Sequence, residues 1–222
     1  MRLPFRATEL SARRLGAALG TASLVCITAG CQQSPTQSKP HPDPAEPVPG
    51  IATTVADHIP PNALVCVAPN AGNGHATSAA VPDPEAPRIT ISVPDGWTSS
   101  AGTGDIALAA TGPDGMSATV TIAATELDPG GSFLRYTANL GGSMPRLKFA
   151  VTGAQFCGYS SQRLTGTLQG QPGAIDFADR ITHIWTNTKK YLVAIHLEGP
   201  VGRAGFDAAR SSLMQDFGVA IP

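Results

Sequence analysis

Apolar and polar residues alternate along the second half of the chain, and this alternation constrains the fold more than any other feature. In the segment 191–197, for example, Tyr191, Val193, Ile195 and Leu197 fall on one face. A period of two places alternate side chains on opposite faces of a strand. Clean alternation of this kind is typical of antiparallel strands that are covered on one side. Strands are therefore predicted at residues 88–93, 106–111, 118–124, 147–151, 156–168, 175–185 and 191–197.

Three other segments carry helical patterns, and a loop is predicted at residues 69–87. The predicted helices span residues 51–59, 133–140 and 206–217. Pro60 ends the first, Ser132 caps the second at its N terminus, and Gly141 ends it. In the third, apolar residues recur at helical spacing, so this helix is amphipathic and packs on the sheet. The predicted fold class is α+β, with one long antiparallel sheet and helices near both ends of the sequence.

The first thirty residues have the pattern of an export signal. Residues 1–14 carry four arginines, and the apolar run 15–29 is too short to span a bilayer comfortably but fits a signal peptide. Small residues precede Cys31, and the pattern resembles the bacterial lipobox, in which the cysteine receives a diacylglyceryl group through its sulfur. Thr28 stands where that motif usually has leucine. The alternative is an ordinary cleaved signal that ends near a cysteine.

The predicted domains are a signal peptide (1–30), a tether rich in Pro, Thr and Ser (31–50) and one globular domain (51–222). The tether has hardly an aliphatic residue and cannot bury surface, so it should be semi-extended. Cleavage removes four arginines and one glutamate, which changes the net charge from −1 to −4. This acidic balance argues against nucleic acid as a partner. The sequence also lacks a polybasic patch for anionic lipid, so membrane attachment must come from a covalent lipid on Cys31.

Two cysteines remain after cleavage and lipidation, Cys66 and Cys157. An exported protein with two such residues most simply forms one disulfide between them. The rival interpretation, a reactive thiol, needs a nearby base that the sequence does not place. We therefore predict a Cys66–Cys157 disulfide that ties residues 62–67 to the sheet.

Catalytic motifs find little support. The sequences around Ser143 and Ser160 both lack the last glycine of the Gly-x-Ser-x-Gly motif that forms a nucleophile elbow. By alternation, His183 falls with apolar residues and His196 on the other face, so the two should point apart and serve as hydrogen-bonded structural residues. A triad or a metal site needs convergent side chains. We predict a protein that is not an enzyme and has no metal or cofactor.

The segments Thr54-Val-Ala-Asp-His-Ile59 and Ile91-Ser-Val-Pro-Asp-Gly-Trp97, with the lipobox and the tether, resemble the mycobacterial LpqN/LpqT-type lipoprotein family. The resemblance covers residues 51–222, and the Pro-Asp-Gly-Trp turn is its most specific part. It implies a PsbP/Mog1-like α/β/α sandwich, a curved antiparallel sheet between helices. It further implies a non-enzymatic envelope protein, associated in some members with transporters that export mycolyl glycolipids. No catalytic residues of the family carry over.

The predicted function is that of a binding or adaptor module, anchored to the outer face of the cytoplasmic membrane. Its partner would be a membrane transporter, a glycolipid or another apolar envelope ligand, and the protein itself should be monomeric. The candidate contact surface contains Trp97, Trp185 and Tyr191, although both tryptophans could instead belong to the core. Two alternatives stay open. One is an envelope serine hydrolase or esterase using Ser143 or Ser160, and the other is a surface antigen or spacer without a specific ligand.

Overall fold

The computed structural model describes residues 48–52, 59–60, 62–67, 72, 74–143, 147–170 and 173–222. The strands in these ranges are β1 (Leu64–Cys66), β2 (Gly74–Ala79), β3 (Arg88–Pro94), β4 (Thr98–Ala101), β5 (Ile106–Thr111), β6 (Ser117–Ala124), β7 (Leu147–Gly153), β8 (Ser160–Leu168), β9 (Ile175–Trp185), β10 (Lys190–Pro200) and β11 (Gly218–Ala220). The helices are α1 (Pro129–Ser143) and α2 (Phe206–Leu213), with a 3-10 turn at Pro113–Gly115. The predicted signal peptide, Cys31, most of the tether and residues 53–58 of the predicted first helix lie outside the described residues.

The described strands form two sheets, and every strand pair is antiparallel. One sheet has four strands in the order β1-β11-β3-β2, and the other has seven in the order β4-β5-β6-β10-β9-β8-β7. The predicted α+β class with antiparallel strands is therefore confirmed, but the single long sheet is replaced by two. Strand β3 pairs with β2 and β11, and β11 pairs with β1. Strand β3 therefore belongs to the smaller sheet and not to the larger one. No helix in the described ranges is long and apolar enough to cross a membrane.

The main hydrophobic core contains buried side chains from both sheets and from α2. Fully buried members include Val93 of β3, Ile122 of β6 and Leu197 of β10. Helix α2 adds Phe206, Ala209 and Leu213 at helical spacing. The helix is therefore amphipathic as predicted, but it ends at Leu213, and β11 follows it.

The seven-stranded sheet turns its inner face to this core and its outer face away from it. Helix α1 lies on the outer face, where Phe133 packs in a second, smaller cluster with Leu164 of β8 and with Phe177 and Ile181 of β9. The outward residues of β6 are only half-buried, and the whole of β4 is exposed. Among the described elements, α1 thus covers one half of the outer face and leaves the other half, where side chains are half-buried or exposed, open.

Helix α1 begins earlier than predicted and is capped by a different residue. The Asp128 carboxylate accepts a hydrogen bond from the Gly131 N–H at 2.6 Å, which makes Asp128 the N-cap. Pro129 occupies the first helical position, where its missing N–H costs nothing. Ser132 therefore lies inside the helix, which also runs through Gly141 to Ser143.

Residues 48–52, at the predicted junction of tether and domain, lie against β8. The Ser161 N–H donates to the Gly50 carbonyl at 3.0 Å, and Gln162 Nε2 donates to the Pro49 carbonyl at 2.8 Å. Gly50 has a φ of +81°, and a Cβ there would lie 1.9 Å from the Ser161 carbonyl oxygen. Only glycine fits this close approach, because it lacks the Cβ that would clash.

Cys66 and Cys157 form a disulfide with a Cα–Cα distance of 5.9 Å. The predicted pairing is thus present. The bond joins β1, an edge strand of the smaller sheet, to the turn between β7 and β8 of the larger one. It also lies next to Phe156, which packs edge-to-face on Phe217 with ring centroids 4.6 Å apart.

Candidate functional site

A cleft of about 580 Å³ opens between helix α2 and two turns of the sheets. Its apolar walls include Pro94, Trp97, Pro113, Met116 and Ala208. Its polar residues include Asp95, Ser211, Ser212 and Gln215. The volume falls in the range of small-molecule sites, and a mostly apolar lining with a few polar groups is typical of them. This cleft is the candidate functional site.

Trp97 forms a wall of the cleft and anchors the turn before it. Its backbone N–H donates to the Pro94 carbonyl at 3.2 Å, which closes the Pro-Asp-Gly-Trp turn. Its indole lies so close to Gly112 that a Cβ there would be 2.3 Å from the ring. The side chain is consequently 7% exposed, so Trp97 offers an edge to the cleft rather than an open aromatic surface.

The structure does not bring Trp97, Trp185 and Tyr191 together into one exposed surface. Tyr191 alternates with the inner-face residues of β10 and is 1% exposed. Its hydroxyl donates to Asp83 at 2.8 Å, and burial together with this bond raises the pKa of Tyr191 well above its ordinary value. Trp185 is half-buried at the end of β9. Trp97 and Tyr191 are members of the main hydrophobic core, which removes them from the surface.

His183 and His196 lie on the same face of the sheet, contrary to the prediction that they point apart. The register places His183 opposite Leu192 and His196 opposite Asp179, and directly opposed residues share a face. His196 and Leu192 are four residues apart on β10, so the two histidines are separated by about 13 Å along the strands. They therefore form no joint site. The prediction assigned each histidine to a face by the polarity of its neighbours on the same strand. It failed because one and the same outer face is apolar under α1 and polar beyond it.

Each histidine has a hydrogen-bond partner. His183 Nε2 lies 3.1 Å from the Leu127 carbonyl oxygen. His196 Nδ1 lies 2.5 Å from Asp179 Oδ1, and its Nε2 lies 3.5 Å from Glu198 Oε2. Asp179 is fully buried, whereas the His196 side chain is 25% exposed. Sequence reasoning missed this pair, although an acid in the middle of the predicted strand 175–185 was a signal for it.

The two histidines should titrate on opposite sides of the ordinary pKa of 6.5. Burial lowers the pKa of His196, but the hydrogen bond and charge of Asp179 and the charge of Glu198 outweigh it and raise the pKa. Burial lowers the pKa of His183. The stability that the His196 proton provides is thus complete below pH 6.5 and is lost as the pH rises through the higher folded pKa. For His183 the dependence is reversed, and stability is lost as the pH falls.

An NMR titration of the imidazole C–H signals measures both pKa values. Asp179→Asn should lower the pKa of His196 and leave that of His183 unchanged, because Asp179 touches only the former. A His196 pKa at or below 6.5 in the wild-type protein would contradict the pairing described above.

Ser160 and Ser117 are hydrogen-bonded to groups other than a histidine, and the described residues form no metal centre. Ser160 is 5% exposed, and its Oγ accepts a hydrogen bond from the Ala52 N–H at 2.8 Å. Ser117 Oγ donates to Glu198 at 3.2 Å and not to His196. Within the described ranges, no group of three or more His, Cys, Asp or Glu residues has the geometry of a metal site. The side chain of Ser143 lies outside the described set.

Comparisons with known proteins bear on the fold. No protein-family model matches the chain, and no curated protein matches it either. The crystal structure of LpqN, described as involved in cell envelope biogenesis of Mycobacterium tuberculosis, superposes with a TM-score of 0.53 at 15% identity. The match covers 66% of this chain and 91% of LpqN. A Pseudomonas aeruginosa protein of unknown function, PA94, gives a TM-score of 0.34 at 13% identity over 57% of this chain and 85% of its own, too low a score to support an argument. At this identity LpqN shows a shared fold alone.

Proposed function

We propose that this protein is a non-enzymatic binding module of the cell envelope, in which the cleft beside Trp97 takes the apolar part of an envelope ligand. The observation that carries the proposal is the cleft itself. Trp97 and Met116 are buried and fixed, so they present an apolar wall without reorganising. Ser211, Ser212 and Gln215 line the same cleft and supply polar groups that could orient the ligand.

An envelope location has three kinds of support. The first thirty residues have the pattern of a lipoprotein signal that ends before Cys31. A disulfide such as Cys66–Cys157 persists in oxidising compartments outside the cytoplasm. The fold is shared with LpqN, which is described as a protein of cell envelope biogenesis.

In this proposal residues 1–30 are removed and two acyl chains on Cys31 hold the protein at the membrane, since one chain gives only marginal binding. Residues 31–47 then link the lipid to the segment that lies against β8. An extended chain of that length reaches about 50 Å, so the domain can stand away from the bilayer and meet a membrane transporter. Labelling with an alkyne fatty acid, compared between the natural chain and Cys31→Ser, tests the anchor. Equal labelling of the two would contradict it.

Filling the cleft should block binding of an apolar probe. Ala208 lies on α2, lines the cleft and is exposed, so Ala208→Trp should fill the opening without disturbing the core. We expect the full chain to bind cis-parinaric acid, detected by the rise in the fluorescence of the probe itself, and Ala208→Trp to weaken this binding by about tenfold or more. Fluorescence titration measures it.

The matched control is Ala138→Trp, the same substitution at an exposed position of α1 outside the cleft. It should leave the affinity unchanged. Equal affinities for the natural chain and Ala208→Trp, or an absence of binding to the natural chain, would contradict the proposed function.

A further inference from the structure

The open half of the outer face carries two rows of small polar side chains that run across the strands. In the first row Thr98 lies opposite Thr111, Thr111 opposite Ser117, and Ser117 opposite Glu198. Residues in direct register share a face and lie about 5 Å apart. The row is thus a continuous line of hydroxyl groups that begins at β4 and ends at a carboxylate on β10.

The second row is parallel to the first and ends at the imidazole described above. Ser100 lies opposite Ala109, Ala109 opposite Thr119, and Thr119 opposite His196. We call the eight residues of the two rows the hydroxyl face. None of them is buried, whereas outer-face residues under α1 such as Leu164 and Ile181 are fully buried.

We propose that the hydroxyl face binds a neutral polyhydroxylated ligand, a saccharide. Five hydroxyl groups, one imidazole and one carboxylate supply both donors and acceptors, which a sugar hydroxyl needs because it acts as both. The spacing between neighbouring strands is close to the length of one pyranose unit, so successive sugar hydroxyls can meet successive strands.

The polar groups of this face are held in place before a ligand arrives. Asp179 fixes the His196 ring through Nδ1, and Phe177 stacks on it with centroids 6.2 Å apart. Ser117 holds Glu198 by a hydrogen bond. Threonine is stiff at χ1, and short side chains lose little rotamer freedom on binding. Ordering these side chains on binding therefore costs little entropy. A strongly hydrated ligand that gains little free energy from each contact can then still bind.

Other ligand classes fit this face poorly. Its only basic side chain is His196, which lies between the carboxylates of Asp179 and Glu198, so a phosphate or another anion would be repelled. Its side chains offer no apolar patch beyond the methyl groups of alanine and threonine, so an acyl chain would gain little by burial there. The acyl-type ligand of the proposed function belongs to the cleft, and the two sites stand on separate observations.

The test uses the full chain in phosphatidylcholine nanodiscs, with 13C-labelled threonine methyl groups, titrated with maltohexaose and cellohexaose. We expect the Thr111 and Thr119 methyl signals and the His196 imidazole signals to shift with millimolar affinity for at least one saccharide. The double variant Thr111→Val, Thr119→Val removes one hydroxyl from each row and keeps the β-branched shape, so it should fold. Loss of two hydrogen bonds should weaken binding by about tenfold.

Thr165→Val is the matched control, because Thr165 is an exposed strand residue of β8 on the other side of the sheet. It should bind as the natural chain does. The inference is overturned if neither saccharide shifts these signals, if the double variant keeps the natural affinity, or if the shifts map to the cleft. If the natural chain binds cis-parinaric acid but neither saccharide, this inference fails and the proposed function stands.

Discussion

Replacing Arg180 with methionine is expected to lower the free energy of unfolding by about 3 kcal/mol. Arg180 is 1% exposed, and its guanidinium donates to the carbonyls of Met214 at 3.0 Å and Ala154 at 3.1 Å. Methionine is unbranched like the arginine stem but shorter, and it donates nothing, so both acceptors lose their partner inside the protein. Urea unfolding followed by circular dichroism measures the change.

Most of the expected loss in the free energy of unfolding comes from the two carbonyls that lose their donor, and not from the ion pair. Arg180 Nη2 lies 2.8 Å from Asp216 Oδ1, but the Asp216 side chain is 54% exposed and can return to water. Arg180 also stacks on Phe156, with Cζ 4.4 Å from the ring centroid. It thereby ties the C-terminal segment after α2 to the turn beside the disulfide. Burial lowers the pKa of Arg180, which the bond to Asp216 partly offsets.

Arg163→Met provides the control for this prediction. Arg163 lies opposite Arg180 in the register of β8 and β9 but is exposed, so its loss should change stability by less than about 0.5 kcal/mol. A loss under about 1 kcal/mol for Arg180→Met, or equal losses for the two variants, would show that burial of the guanidinium contributes little.

Removing the disulfide is expected to have a similar or larger effect. Cys66 and Cys157 are 91 residues apart, and in the chain-entropy model a loop of that size is worth about 4–5 kcal/mol. The double variant Cys66→Ala, Cys157→Ala should therefore unfold at a urea concentration lower by about 2 M. Strand β1 has only three residues and, among the described strands, pairs with β11 alone, so few other contacts hold it.

A reducing agent separates this effect from the loss of the sulfur atoms themselves. Reduction should destabilise the natural chain by about as much as the double substitution does, and it should leave the variant unchanged. If the natural chain unfolds at the same urea concentration with and without reductant, the bond is not constraining the unfolded state. Fluorescence of the two tryptophans follows the transition.

The long strands could be read from the sequence because their alternation reflects a local requirement. The predicted segments 106–111 and 175–185 match β5 and β9 at both ends. Burial on one face imposes a period of two wherever a strand lies on a core. The disulfide was equally predictable, because the predicted signal peptide and lipid site leave only two cysteines to pair.

The short strands and the second sheet could not be read in this way. Residues 74–79 are glycine, histidine, alanine, threonine and serine, a composition that was interpreted as a loop. They form β2 only because they pair with the edge of β3. Strand β11 forms because α2 ends at Leu213 and the residues after it pair with β3. Pairing between distant segments is set by tertiary contacts, since propensity in strands is weak and depends on context.

The candidate sites show the same division. The Pro-Asp-Gly-Trp turn was visible in the sequence, but the cleft also needs α2, which lies more than a hundred residues away. His196 and Asp179 both lie in predicted strands, yet alternation along each strand carries no information about the register between them. A register shift of one residue would have sent one side chain to the other face.

The sequence by itself determined the long strands and the Pro-Asp-Gly-Trp turn of this protein, since alternation and turn chemistry depend on neighbouring residues. It also determined the cysteine pair and the pattern that predicts an exported, lipid-bearing N terminus. Only the tertiary structure decided which strands meet, in what register, and which half of the outer face α1 leaves open. The physical reason is that these choices depend on the burial of side chains far apart in the chain, where many pairings satisfy the local pattern and one satisfies the packing.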